Sequence, residues 1–300
     1  MLNGIFPALF TPFDDELNVD FEALNDLIEF QLSHGVDGFF VTGSTGEGLL
    51  LSLDERLAVA RHVIAQTSNR GKVIIHVGHP NSQAAAALAQ KAAHAGADWI
   101  ASVAPIYHGT TFEGALRHYT QIATASELPF MVYCLGQEII PERDKKLFDI
   151  PNVQGLKYTN SNFFSVQGLM EAVDRPISLM NGMDEHLIAS LTFGFHGGIG
   201  STYNFAPDFY RQIYDAFQKG EVERAMERQR EINRVTRLMI EFENWSYRKA
   251  IMRYVGVDVG PCRPPYAPIS EAEYEAFAQR LDSLGVLQRN DHAEDEQEEE

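Results

Sequence analysis

Seven lysines occur in the 300-residue chain, and only Lys157 closes an apolar run, Val153-Gln154-Gly155-Leu156. Lys72 precedes such a run, and Lys91, Lys145, Lys146, Lys219 and Lys249 fall on helical patterns. An amine held partly out of water loses its proton more readily. A neutral amine condenses with a ketone to form a Schiff base. The plainer alternative is a lysine held in a buried structural ion pair. Tyr133 closes the preceding apolar run, 130–133. Taken alone, a tyrosine at a strand end is a packing aromatic. On a strand next to Lys157, at the same level, its phenol can carry a proton to and from a carbinolamine.

Three further groups surround this pair. Gly43-Ser44-Thr45-Gly46-Glu47 combines two hydroxyls with glycine-permitted backbone amides. Such a nest accepts a carboxylate, and the absence of lysine or arginine in it argues against phosphate. Ser44 and Thr45 are the candidate carboxylate ligands, and Glu47 is read as orienting the loop. Asp184 and Glu185 follow Gly182. An adjacent acid pair can accept hydrogen bonds from several substrate hydroxyls, or simply complement the dipole of the next helix. Ser201, in Gly200-Ser201-Thr202, can add a hydroxyl to the same substrate. The histidines show no metal-ligand spacing and are read as structural or surface residues.

Eight short Val/Ile/Phe/Gly-rich runs must place these groups: 5–10, 38–41, 73–77, 99–103, 130–133, 153–156, 177–180 and 197–200. They are near-continuously apolar, as strands buried on both faces are. Amphipathic helical patterns lie between them, at 21–33, 53–66, 82–95, 112–125, 141–148, 163–173 and 185–193. Asp20 and the capping box Ser52…Glu55 mark helix starts, and Gly35 and Gly96 mark stops. This order predicts an α/β fold, a (β/α)8 TIM barrel whose site lies at the C-terminal strand ends. An open doubly wound sheet is the alternative, and no early Gly-x-Gly-x-x-Gly supports it. Additional C-terminal helices follow at 208–219, 222–242, 245–255 and 271–284. The expected organisation is a barrel core (1–206), a helical extension packed on it (207–288) and a disordered acidic tail (289–300).

Composition bounds the function. Apolar residues make up 45% of the chain and the net charge is −18, which argues against nucleic-acid and anionic-membrane partners. Seven of the 42 carboxylates sit in the last ten residues. Two cysteines, Cys134 and Cys262, allow at most one disulfide, and no metal-binding spacing occurs. The N-terminus has no basic, apolar leader and no run approaches a membrane span. A soluble cytoplasmic protein is expected.

These motifs together resemble the dihydrodipicolinate synthase/N-acetylneuraminate lyase family of class I aldolases over residues 3–285. The resemblance rests on Gly43-Ser44-Thr45-Gly46-Glu47, Tyr133, Gly155-Leu156-Lys157 and the glycine-rich run from Gly197 to Asn204. Within the family the lyase branch is the more similar. There the Schiff-base lysine is followed two positions later by threonine, as Lys157 is by Thr159. Its sugar-binding Gly-x-Asp-Glu matches Gly182, Asp184 and Glu185, and its sugar-binding serine matches Ser201. Tyr107 matches a tyrosine that packs near the catalytic tyrosine across a subunit interface, which implies a homotetramer. The synthase branch carries an arginine shortly after the catalytic tyrosine, whereas here the first is Arg143. The resemblance implies Schiff-base cleavage of N-acetylneuraminate, a sialic acid, to pyruvate and N-acetylmannosamine, with no metal or organic cofactor. Tyr133-Cys134-Leu135-Gly136 departs from the lyases' Tyr-x-Ile-Pro, so another sugar-acid aldolase or dehydratase of the family is the alternative. A catalytically silent binding barrel is the alternative of a different class.

Overall fold

The computed structural model describes residues 1–106 and 109–290, so Tyr107 and the acidic stretch 291–300 lie outside the described residues. Eight strands are present: β1 (Gly4–Pro7), β2 (Gly38–Val41), β3 (Lys72–His76), β4 (Trp99–Val103), β5 (Phe130–Leu135), β6 (Val153–Thr159), β7 (Ser178–Asn181) and β8 (Gly197–Gly200). They pair in parallel in the order β1-β8-β7-β6-β5-β4-β3-β2. The two edges meet through a parallel bridge between Ala8 and Phe40, and the Leu9 amide donates to the Phe40 carbonyl at 2.9 Å. The result is the (β/α)8 TIM barrel expected from the alternation.

Helices α1 (Phe21–Ser33), α2 (Leu53–Thr67), α3 (Ser82–His94), α4 (Phe112–Ala123), α5 (Pro141–Asp144), α6 (Phe163–Ala172) and α7 (Leu187–Thr192) alternate with the strands. The local reasons are visible at their ends. The Asp20 carboxylate accepts from the amides of Glu22 and Ala23, and Ser52 and Glu55 close the expected capping box. Gly35 and Gly96 take positive φ just past their helices, where a side chain would be strained. Along the strands alternate side chains divide between two apolar clusters. Phe40, Ile74, Ala101, Met131 and Met180 fill the barrel. Phe39, Val41, Val73, Ile75, Val132, Leu156 and Leu179 pack outward under the helices.

After β8 come α8 (Pro207–Gln218), α9 (Val222–Glu241), α10 (Ser246–Tyr254) and α11 (Glu271–Leu284). Gln229 and Asn233 of α9 donate to the carbonyls of Asp184 and Glu185, both at 3.1 Å. From α10, Lys249 Nζ donates to the carbonyl of Thr11 at 2.7 Å. These helices therefore return to the end of the barrel where β7 and β1 finish. Among the described residues no helix is long and apolar enough to cross a membrane.

Several element bounds differ from the sequence expectation. β5 and β6 run on to Leu135 and Thr159, because the ladder continues through Cys134↔Tyr158 and Leu135↔Thr159. Tyr133 and Lys157 therefore sit inside their strands rather than at the ends. The 141–148 pattern splits into α5 and a 3-10 turn over Lys145–Asp149. A 3-10 turn over Asp184–His186 precedes α7. Cys134 and Cys262 are both free thiols in separate buried surroundings.

Candidate active site

Tyr133 and Lys157 are direct cross-strand partners in the β5–β6 register. Side chains at paired positions point to the same face, so both enter the barrel. Each is 5% exposed. Lys157 Nζ lies 4.2 Å from the centre of the Tyr133 ring and 4.5 Å from that of Phe40. Among the described residues this amine makes no ion pair and no hydrogen bond. The buried lysine that does is Lys249, whose Nζ stands 3.1 Å from Glu47 Oε1. Burial pulls the Lys249 pKa down, and Glu47 opposes that shift. Strand position alone gives no sign of this second buried lysine, because a helical pattern does not show where α10 docks.

His76 completes the aromatic wall, its ring edge-on to Tyr133 with centroids 6.2 Å apart. Burial drives its pKa down to about 3, with the charges of Arg56 and Lys157 adding to the effect. The ring is neutral at physiological pH, and its Nε2 accepts from the Val103 amide at 3.3 Å.

The loop after β2 is held in an unusual conformation. Thr42 and Glu47 both take left-handed φ, +55° and +53°, which costs about 1 kcal/mol or more per non-glycine residue. Thr42 Oγ1 donates to the His76 carbonyl at 3.1 Å, and Glu47 is fixed by Lys249 and by the Arg263 amide at 2.9 Å. Glu47 is thus committed to Lys249 and the Arg263 amide and anchors the loop. Ser44 is exposed and Thr45 buried. Their amides donate to no acceptor among the described residues, while those of Glu47 and Gly48 close turns onto Ser44 and Gly43. A Cβ on Gly43 would stand 2.6 Å from the Phe40 ring, which places this loop on the lysine side of the mouth.

A cavity of about 210 Å³ lies on the other side. Thr159, Gly182, Asp184, Glu185 and Ser201 all line it, from β6, the end of β7 and the end of β8. These are the five residues that the sequence motifs single out for the polyol, and the fold brings them into one space. Gly182 joins it to the lysine: a Cβ there would overlap Thr159 Oγ1 and stand 3.2 Å from Lys157 Cε. Asp184 Oδ2 accepts from the Thr202 amide at 2.8 Å, from Thr202 Oγ1 at 2.7 Å and from Ser201 Oγ at 3.4 Å. Burial still pushes its pKa up to about 6, against the pull of the Thr202 hydrogen bonds. Glu185 is half-buried, and its carboxylate has no hydrogen-bond partner among the described residues. Thr159 Oγ1 is buried and unpaired.

Other cavity-lining residues carried no sequence signal. Thr236, Met239 and Ile240 come from α9 and Arg248 from α10, all far along the chain. Phe40 looked like ordinary core because an aromatic in an apolar strand is one by default. Cys134 faces outward into the helix layer, where burial raises its thiol pKa to about 12, so it does not touch the pocket. Tyr107 falls outside the described residues.

A barrel whose buried lysine, unpaired among the described residues, faces a tyrosine fits an aldolase-type lyase. The family model described as the dihydrodipicolinate synthetase family matches residues 1–284, and the chain belongs to that family. An N-acetylneuraminate lyase of Rhizobium meliloti is 35% identical over 284 residues, covering 93% of this chain and 94% of that one. The solved N-acetylneuraminate lyase of Mycoplasma synoviae superposes with a TM-score of 0.87 at 30% identity, covering 95% and 98% of the two chains. A prophage protein of E. coli K12, described as a dihydrodipicolinic acid synthase family member in complex with pyruvate, gives a TM-score of 0.89 at 28% identity over 95% and 99%.

Proposed function

We propose that the protein cleaves N-acetylneuraminate reversibly to pyruvate and N-acetylmannosamine through a Schiff base on Lys157. The observation that carries this reading is the Lys157 amine, unpaired among the described residues, level with Tyr133 and joined past Gly182 to a hydroxyl-lined cavity. The names of the relatives supply the particular sugar acid.

In this reading the Lys157 nitrogen attacks the C2 ketone of the open-chain substrate. Loss of water leaves a protonated imine. Removal of the C4 hydroxyl proton breaks C3–C4, the electron pair moves into the imine, and the aldehyde departs. The enamine is then protonated at C3, and water hydrolyses the imine to free pyruvate and the amine. Tyr133 relays these protons. The faces of Phe40 and Tyr133 stabilise the iminium cation. Ser44 and Thr45 hold the substrate carboxylate through their amides and hydroxyls. Thr159, Gly182, Asp184, Glu185 and Ser201 bind the polyol. Neither metal nor organic cofactor enters the scheme. The assembly proposed with it is a cytoplasmic homotetramer.

Incubation with pyruvate and borohydride, followed by peptide mapping, tests the chemistry: the expected adduct is on Lys157, and an unmodified Lys157 overturns the Schiff base. Pyruvate release from N-acetylneuraminate, set against 2-keto-3-deoxy acids, tests the substrate. Release from the latter alone moves the enzyme to another branch of the family.

A further inference from the structure

The cavity beside Lys157 has two kinds of polar wall. Asp184 and Glu185 can only accept hydrogen bonds when ionised, and they suit substrate hydroxyls. Opposite in character is Arg248, which can only donate. Its guanidinium lies 4.4 Å from the Trp245 ring centre, and this stacking leaves the in-plane N–H groups open. Among the described residues it makes no hydrogen bond and no ion pair. Arg56 and Arg263 contrast with it. Arg56 donates to the carbonyls of His76 and Gly78, and Arg263 to Leu17, Leu50 and Glu55. Among the described residues no ion pair joins Arg248 to Asp184, whose Oδ2 accepts from Thr202. The apolar side chains of Phe205, Met239 and Ile240 line the same cavity.

We infer that Arg248, with Phe205, Met239 and Ile240, forms a subsite for an acylamino group on the substrate, the guanidinium donating to the amide carbonyl and the apolar side chains covering the acyl methyl. The inference rests on the proposed cleavage of an extended sugar acid through Lys157. Charge favours an amide over a second anion. An anionic substituent would share one cavity with two carboxylates and one guanidinium, whereas a carbonyl oxygen accepts from Arg248 without adding charge. The apolar patch favours it over a further hydroxyl, since burying a hydroxyl beside three apolar side chains has a cost that burying a methyl does not. Arg248 acts on specificity in this scheme, and the bond-breaking groups remain Lys157 and Tyr133.

The test compares the full-length chain with Arg248→Leu and Arg248→Lys on three substrates. These are N-acetylneuraminate, its analogue with a hydroxyl in place of the acetamido group, and the 9-phosphate ester of N-acetylneuraminate. The wild type is expected to favour the acetamido substrate over the hydroxyl analogue in kcat/KM. Arg248→Leu should reduce that preference by about tenfold or more, through KM rather than kcat, and Arg248→Lys should restore part of it. Borohydride trapping of pyruvate on Lys157 should be the same in all three proteins, which also shows that the variants are folded. An equal loss on both neutral substrates, or none, overturns the subsite. A phosphate preference that Arg248→Leu abolishes overturns it in favour of an anion site. Failure of the wild type itself to trap pyruvate overturns the aldolase reading instead, a result that no change at Arg248 produces.

Discussion

In the proposed mechanism Lys157 and Tyr133 divide the labour that a single group cannot perform, Lys157 forming the covalent bond and Tyr133 moving protons. Tyr133→Phe keeps the ring faces against Phe40 and Lys157 but removes the hydroxyl. The expected result is a fall in kcat of about 10²–10⁴-fold with KM little changed, measured by steady-state pyruvate release. Asp184 carries a prediction of another kind. Its folded pKa, about 6, lies above its ordinary value of 3.8. Between those values the folded protein binds more protons than the unfolded chain, so this group makes stability fall as pH rises from about 4 to about 6. Asp184→Asn removes the titration. Urea unfolding at pH 4.5 and pH 7 should show the variant gaining on the wild type by about 2 kcal/mol at the higher pH. A difference independent of pH would contradict the burial of this carboxylate.

At the scale of elements, the loop after β2 and the helix α10 are locked together by one buried ion pair. Glu47 holds a left-handed backbone in place, and Lys249 ties it to the carbonyls of Thr11 and Pro261, each at 2.7 Å. Removing one partner of such a pair strands the other charge in the interior. Lys249→Met is therefore expected to cost about 3–5 kcal/mol in chemical denaturation. The double change Glu47→Gln with Lys249→Met should cost clearly less than the sum of the two single changes. Additivity in that cycle would mean that the two groups act independently. The same lock carries a functional consequence, because the amides of Ser44 and Thr45 depend on the loop it fixes.

For the whole molecule, the C-terminal helices α9 and α10 line the candidate site rather than merely adding to the barrel. α9 holds the backbone of Asp184 and Glu185 through Gln229 and Asn233, and α10 brings Arg248 to the cavity. The acidic stretch 291–300 follows the last described residue, and no group of the proposed mechanism comes from it. Deleting these residues should leave kcat/KM for pyruvate release within about twofold, an approximate margin set by the cost of typical surface changes. The deletion should act on solubility through the loss of seven carboxylates. A several-fold loss of activity would place the tail in the catalytic assembly. Light scattering of the intact chain is expected to give four times its mass of 33.6 kDa.

The barrel was legible in the sequence because its determinants are local. Runs such as 38–41 and 99–103 are apolar enough to be buried on both faces, and caps such as Asp20 and Ser52 satisfy their helices within four residues. Lys157, Tyr133 and the Gly182–Glu185 turn were legible for the same reason, since a strand followed by its loop fixes which residues reach the mouth. The contributions of Arg248, Lys249 and Phe40 were not. Local pattern says that residue 249 lies on a helix, but not that the helix docks against Thr11, more than two hundred residues earlier. Sequence alone decided which side chains each β-α unit presents. Only the tertiary structure decided which buried lysine is paired and which, among the described residues, is not, because that depends on carboxylates and rings brought close by packing rather than by chain order.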